Sequence, residues 1–276
     1  MKTSSRFLAI ASLVALAATA TLNAQTDVVN WGGDYVSGSQ GFTRPTAVTN
    51  GLNVTYTYSS NTAITPSSGY TAPSGRTGPI YGAWQVTSLG ASPLEIQQSM
   101  IQNSAANDNI YFTTPSGTGA NLQGLIFFNK QNFLNGYSNV TLSLSGVEGS
   151  MNIVALNLGG TFRYAVQSGG SWYLSQTNKT STGAFSNVSL LSQNWGAWDP
   201  SGAPFVVAPS SFDTLGTSLT DVTAFGFYFD VTRPTSAASF TVNSYVITVP
   251  EPSTIGLLGL GAGALLWARF RSRRRS

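Results

Sequence analysis

Residues 161–175 read TFRYAVQSGGSWYLS, and their pattern decides the fold class. Phe162, Tyr164 and Val166 alternate with Arg163 and Gln167. Side chains that change face at every residue define a β-strand. Gly169-Gly170 then interrupts the pattern before Trp172 and Leu174 resume it. Two glycines between alternating runs suit a tight hairpin, whose turn needs positive φ. Upstream, Asn152–Leu158 (NIVALNL) ends at Gly159-Gly160, which predicts a meander of three strands over 152–175.

Working outward, strand signals recur between Gly, Asn and Ser clusters. They fall at Asn53–Tyr58, Leu122–Phe128, Val140–Leu144, Ala224–Asp230 and Ser239–Val249. Leu122–Phe128 (LQGLIFF) is almost continuously apolar, as in a strand buried on both faces. Leu94–Gln102 is the one helical candidate, and it is short. Many short strands with little helix predict an all-β, antiparallel β-sandwich, jelly-roll-like, over residues 25–249. No fixed period supports a solenoid or propeller. Loops near 59–82 and 192–212 are rich in Ser, Gly and Pro and are the expected carriers of function.

Composition removes several chemistries. The chain has 276 residues, 42% hydrophobic and 8% charged, with no Cys and no His. Charged residues average about 25% in soluble domains. Without Cys there are no disulfides, thiolate metal sites or cysteine nucleophiles. Without His there is no Ser-His-Asp triad. The net charge of +3 belongs to the ends. Between Gln25 and Val249 the chain carries six basic and nine acidic residues, a balance of −3. A nucleic-acid partner needs clustered Lys and Arg, so none is expected.

Both ends carry transport patterns. Residues 1–24 read as a signal peptide: Lys2 and Arg6, the apolar run Phe7–Ala18, then small residues. Cleavage is expected after Ala24, with Ala18-Thr19-Ala20 as the alternative. Residues 250–276 divide into Pro250-Glu251-Pro252-Ser253, an apolar stretch over 254–268, and an Arg-rich tail over 269–276. The apolar run Ile255–Ala268 is shorter than the ~20 residues that span a bilayer comfortably. Local thinning and snorkelling arginines let such a run insert as a short transmembrane helix. Arg269, Arg271, Arg273, Arg274 and Arg275 would act as the stop-transfer cluster, held cytoplasmic, with the domain outside. Proline lacks a backbone donor and restrains the residue before it, so the Pro250–Pro252 stretch is expected to stay extended and accessible.

This tail resembles the PEP-CTERM sorting signal of Gram-negative bacteria. The resemblance covers about the last 27 residues and rests on three parts in order. They are Pro250-Glu251-Pro252, Ile255–Ala268 and Arg269–Arg275. It implies processing by an exosortase, a membrane-embedded cysteine protease, after signal peptidase has acted at the other end. The chain would pass through the inner membrane as a substrate and reach the cell surface or the exopolysaccharide. A plain C-terminal anchor is the alternative. The run 161–175, Asn30–Tyr35 and Ala224–Tyr228 are similar to segments of PEP-CTERM proteins with jelly-roll, carbohydrate-binding-module-like ectodomains.

Three chemistries compete within the domain. Trp172, Tyr173, Trp195, Trp198 and Asp199 are candidate glycan-binding residues, because aromatic faces stack on sugars and carboxylates accept from hydroxyls. Core or loop-anchoring aromatics are the competing reading of the same residues. Alternation puts one of Trp172 and Tyr173 toward the core and the other toward solvent. Asn107-Asp108-Asn109 and Asp27 with Asp34 are candidate oxygen ligands for a structural calcium, against a reading as solvated turns. Otherwise no cofactor and no metal are expected. Asp199, Asp213, Asp221 and Asp230 are too scattered to place a glycosidase pair. Asp221 and Asp230 read as caps on turns and strand ends. The expectation is a non-enzymatic, exported surface or matrix protein, structural or adhesive in exopolysaccharide. A carbohydrate-binding module is the alternative, and a glycoside hydrolase or lyase the second.

Overall fold

The computed structural model describes residues 25–32, 53–56, 77, 81–88, 102–104, 107–113, 120–156, 160–200, 211–233 and 239–251. The signal peptide at 1–24, the tail from Pro252 onward, Asp34, and Leu94–Ile101 of the expected helix lie outside them. Gln102 opens a strand instead. One compact unit covers Asp27–Thr248. The other gathers Met1–Thr26 and Val249–Ser276, and its described part is the start of the first strand and the end of the last.

Thirteen strands are described: β1 Gln25–Gly32, β2 Asn53–Tyr56, β3 Tyr81–Ser88, β4 Gln102–Ser104, β5 Asn107–Thr113, β6 Ala120–Asn129, β7 Glu148–Leu156, β8 Thr161–Ser168, β9 Ser171–Lys179, β10 Gly183–Ser189, β11 Trp195–Trp198, β12 Val222–Arg233 and β13 Ser239–Pro250. They form two sheets whose registers are antiparallel. One runs β10-β7-β13-β5-β4, with β1 also on β13, and the other β11-β9-β8-β12-β6-β3-β2.

The decisive stretch folds as the hairpin β8–β9. Ser168 faces Ser171 across Gly169 and Gly170, whose φ of +57° and +82° are what a two-residue primed turn needs. The pairing slips between Arg163 and Ala165. There the Ser175 hydroxyl accepts the Tyr164 amide at 3.0 Å and donates to Thr177 O at 2.8 Å. A side chain thus satisfies a donor that the irregular ladder would otherwise strand.

The three-strand meander does not form. β7 pairs with β10 and β13, whereas β8 pairs with β9 and β12. The chain changes sheets between them, because Met151 and Ile153 of β7 are needed to line the core from the other side. Val140–Leu144 is not a strand either. A 3₁₀ turn at Tyr137–Asn139 leads into loop. Its alternation is real, since Leu142 and Leu144 are buried while Val140 is exposed. It serves a loop that pins its leucines to the core, with Leu142 O accepting the Val222 amide at 2.9 Å.

The two sheets face each other through an aromatic core. Phe128 stacks on Tyr245 with centroids 5.8 Å apart at 10°, and Phe229 lies 4.6 Å from Phe240. Phe162 meets Phe240 edge-on at 5.2 Å. The Tyr245 hydroxyl crosses the interface to donate to Gly226 O at 2.7 Å. Along β13 the inward positions are Phe240 and Val242, then Tyr245, Ile247 and Val249, with a register slip between Val242 and Ser244 changing the parity. The reading of Leu122–Phe128 as buried on both faces holds. Phe128 points inward, while Leu125 and Phe127 join a second apolar cluster with Tyr81, Trp172, Leu174, Trp198 and Tyr228 on the other side of the larger sheet.

Candidate functional site

The cleft that gathers the sequence candidates lies at the hairpin end of β8–β9 and β11. Gln167, Gly170, Ser171 and Trp172 form one wall, and Ala197, Trp198, Asp199 and Pro200 the other. It is open to solvent and holds about 450 Å³. The register builds it. β11 pairs antiparallel with β9, so Trp198 stands opposite Trp172 and Ala197 opposite Tyr173. The 192–212 region is therefore not all loop, since Trp195–Trp198 is an added strand of the larger sheet.

Both cleft tryptophans are anchored from behind. Trp172 meets Phe127 edge-on at 5.0 Å, and Trp198 meets Tyr228 at 5.4 Å. Trp172 is 3% exposed and Trp198 9%. They line the cleft while most of their surface is spent on packing. Asp199 is exposed at the rim and is the sole charged residue among the described lining.

The other two aromatic candidates lie elsewhere. Trp195 is fully buried, and its Nε1 donates to Leu190 O at 3.1 Å. Its backbone also exchanges hydrogen bonds with Asp213, at 2.8 and 3.0 Å. Placing Trp195 on a binding loop is thus corrected to a core anchor. Tyr173 is half-buried on the opposite face of β9 from Trp172.

A polar row across the larger sheet was not legible in sequence. Gln123 Nε2 of β6 donates to Asp230 Oδ2 of β12 at 2.8 Å, and Thr232 Oγ1 donates to Asn121 Oδ1 at 3.1 Å. Asp230 sits within β12 and not at its end. Desolvation raises its carboxyl above the usual range, against hydrogen bonds from Gln123, Tyr228 and Thr232 that favour the charged form. Desolvation, then the Asp230 charge, raises the Tyr228 phenol. Burial also lowers the Arg163 guanidinium, which donates to Ser175 O at 2.8 Å. No single strand carries this row, so only the register of Asp230 with Gln123 discloses it.

Two other acids are engaged separately. Asp221 lies 3.8 Å from Lys130, and Asp27 accepts from Asn30 Nδ2 at 2.7 Å. Asn107-Asp108-Asn109 belongs to β5 and is not a turn. Among the described residues no three acidic side chains gather around a metal position.

At the other functional end, Pro250 closes β13 and Glu251 follows it, both exposed. Thr26 Oγ1 donates to Glu251 Oε1 at 3.1 Å. Among the described residues no helix is long and apolar enough to cross a membrane, and the run 255–268 lies outside them.

Fold and tail together define an antiparallel β-sandwich that carries an export address. Residues 248–275 match the PEP-CTERM protein-sorting motif. The motif marks an exported protein handled by exosortase and sorted to the cell surface. No curated protein matches the chain in sequence. Among solved structures the chain resembles the Family 11 carbohydrate-binding module of cellulosomal cellulase Lic26A-Cel5E of Clostridium thermocellum. The identity is 11%, the coverage 59% of this chain and 86% of that one, and the TM-score 0.29. It also resembles PfGH50B at 7% identity and TM-score 0.28, over 58% of this chain and 22% of that one. At these scores neither likeness bears on ligand or activity.

Proposed function

We propose that this is a non-enzymatic protein of the bacterial cell surface or its matrix, structural or adhesive in exopolysaccharide. The observation that carries this is a sorting motif whose match begins within the last described strand of the sandwich. Such a chain delivers a folded β-sandwich to the outside. The cleft of Trp172, Trp198 and Asp199 supports a second, compatible reading as a carbohydrate-binding module. Its described lining offers two tryptophans, a glutamine, a serine and one carboxylate. That set suits neutral sugar hydroxyls and repels uronic acids by like charge.

Affinity electrophoresis of the released protein in neutral and acidic polysaccharides tests both. Retardation by neutral polysaccharide is expected, with Trp198→Ala weakening it about tenfold, a loss of ~1.4 kcal/mol. No retardation in any polysaccharide, including that of the producing cells, refutes a matrix-binding role. Retardation that Trp198→Ala leaves untouched removes the cleft from it.

A further inference from the structure

Of the chain's two Asn-Gly pairs, Asn50-Gly51 and Asn135-Gly136, the second lies among the described residues. Its backbone is a turn of defined type. The Tyr137 amide donates to Leu134 O at 3.1 Å, and the two residues between them have φ of +55° and +82°. Those angles belong to a type I′ turn, for which Asn followed by Gly is a favoured pair. Both residues are exposed. The turn ties the segment after β6 to β1. Leu134 N donates to Val28 O at 3.0 Å, and Asn135 Nδ2 donates to Asp27 O at 2.8 Å. The Asp27 carboxylate in turn accepts from Asn30 Nδ2 at 2.7 Å.

A side-chain amide is an electrophile for the backbone nitrogen of the next residue, and a side chain on that residue screens the nitrogen. Gly136 carries none. The turn's own hydrogen bond uses the Tyr137 amide and leaves the Gly136 amide outside it. We infer that Asn135-Gly136 is a self-modification site, at which deamidation unties this turn from β1. The Gly136 nitrogen attacks Asn135 Cγ. A new N–C bond forms, the Cγ–Nδ2 bond breaks, and ammonia leaves with the proton of the attacking nitrogen. Water then opens the cyclic imide at one of its carbonyls. The product is aspartate or, with the chain rerouted through Cγ, isoaspartate. The sum is one water consumed and one ammonia released. Either product loses the donor to Asp27 O and puts a carboxylate beside that carbonyl, so acceptors meet without a proton between them. Isoaspartate also adds a carbon to the backbone of the turn, which draws Leu134 O and Tyr137 N apart. Asn187 is the internal comparison. It is exposed with φ of +54°, but the branched side chain of Val188 follows it.

The released protein is held folded in mildly alkaline buffer and mapped by peptide mass spectrometry, with isoaspartate resolved by electron-transfer fragmentation. Asn135 is expected to convert at least several-fold faster than Asn187. Conversion no faster than that of Asn187 overturns the inference. Conversion seen only after urea unfolding also overturns it, since the turn would then protect the amide. Gly136→Ala is expected to slow the reaction several-fold. Its Cβ meets nothing within 4 Å, so the variant bears only the strain of a positive φ. An unchanged rate in this variant overturns the assigned nucleophile. Asn135→Asp reproduces the aspartate product directly. In it the Leu134 amide, which donates to Val28 O, is expected to exchange with solvent several-fold faster. Unchanged exchange overturns the tie to β1.

Discussion

Replacing Tyr245 by alanine removes the residue on which the two sheets converge. Its ring lies 5.8 Å from Phe128, 5.4 Å from Phe227 and 6.3 Å from Tyr164, and none of it is exposed. A buried aromatic ring withdraws roughly 150–250 Å² from water, worth ~4–6 kcal/mol at ~25 cal/mol per Å². Measured truncations of buried aromatics to alanine cluster at about 3–5 kcal/mol. Domains of this kind hold only ~5–15 kcal/mol in total. Tyr245→Ala is therefore expected to bring the protein close to its unfolding limit. Tyr245→Phe keeps the rings and loses only the bond to Gly226 O, at a cost of ~1 kcal/mol. Urea unfolding of the released protein, followed by far-UV circular dichroism, measures both as shifts of midpoint at constant m. A cost below ~1 kcal/mol for Tyr245→Ala with unchanged m would show that the sheets do not pack through this residue. The face-to-face arrangement would then be wrong.

Two further outcomes separate local from tertiary constraints. Gly226→Ala is expected to prevent folding or cost well over the ~1–3 kcal/mol of ordinary overpacking. Its Cβ would stand 2.2 Å from Ile126 O and 2.7 Å from Phe127 Cβ. Gly170→Ala meets nothing within 4 Å and should cost only the ~1–2 kcal/mol of a positive φ. Thermal unfolding ranks the pair, and equal costs would contradict the tight β12–β6 contact. The third outcome concerns pH. Asp230 has its carboxyl raised in the folded state, so the folded protein holds that proton more tightly than the unfolded chain does. Its contribution to stability therefore falls as pH climbs from the unfolded carboxylate range through the raised folded value. Asp230→Asn lacks that proton. Its melting temperature relative to wild type should rise over this window and level off above it, and a pH-independent difference would refute the desolvated setting of Asp230.

Much of the architecture was legible because it is local. The alternation of Phe162, Tyr164 and Val166 and the two glycines after them determine a hairpin whatever its neighbours are. The continuous apolar run at Leu122–Phe128 determines a strand covered on both sides. The order of Pro250-Glu251-Pro252, apolar run and arginines is read by an enzyme as sequence, so no tertiary structure is needed to recognise it. Val140–Leu144 shows the limit of this reasoning. Alternation reports which side chains are buried, and a loop with Leu142 and Leu144 tucked under it gives the same signal as a strand.

The tertiary structure alone decided which strands are neighbours. Nothing between Leu156 and Thr161 announces that the chain leaves one sheet for the other. That choice depends on where Met151 and Ile153 find a partner surface far away in sequence. The same holds for the tryptophans. By sequence Trp195 and Trp198 are equivalent ring-bearing residues three apart. Pairing of β11 with β9 buries the first against Leu190 and sets the second opposite Trp172 at the cleft. It holds too for Asp230, which gains Gln123 only when β6 lies alongside β12. Chain pattern is a short-range property, carried by the backbone over a few residues. A binding surface is a sum of contacts across strands, and its energy is defined only once the registers are fixed.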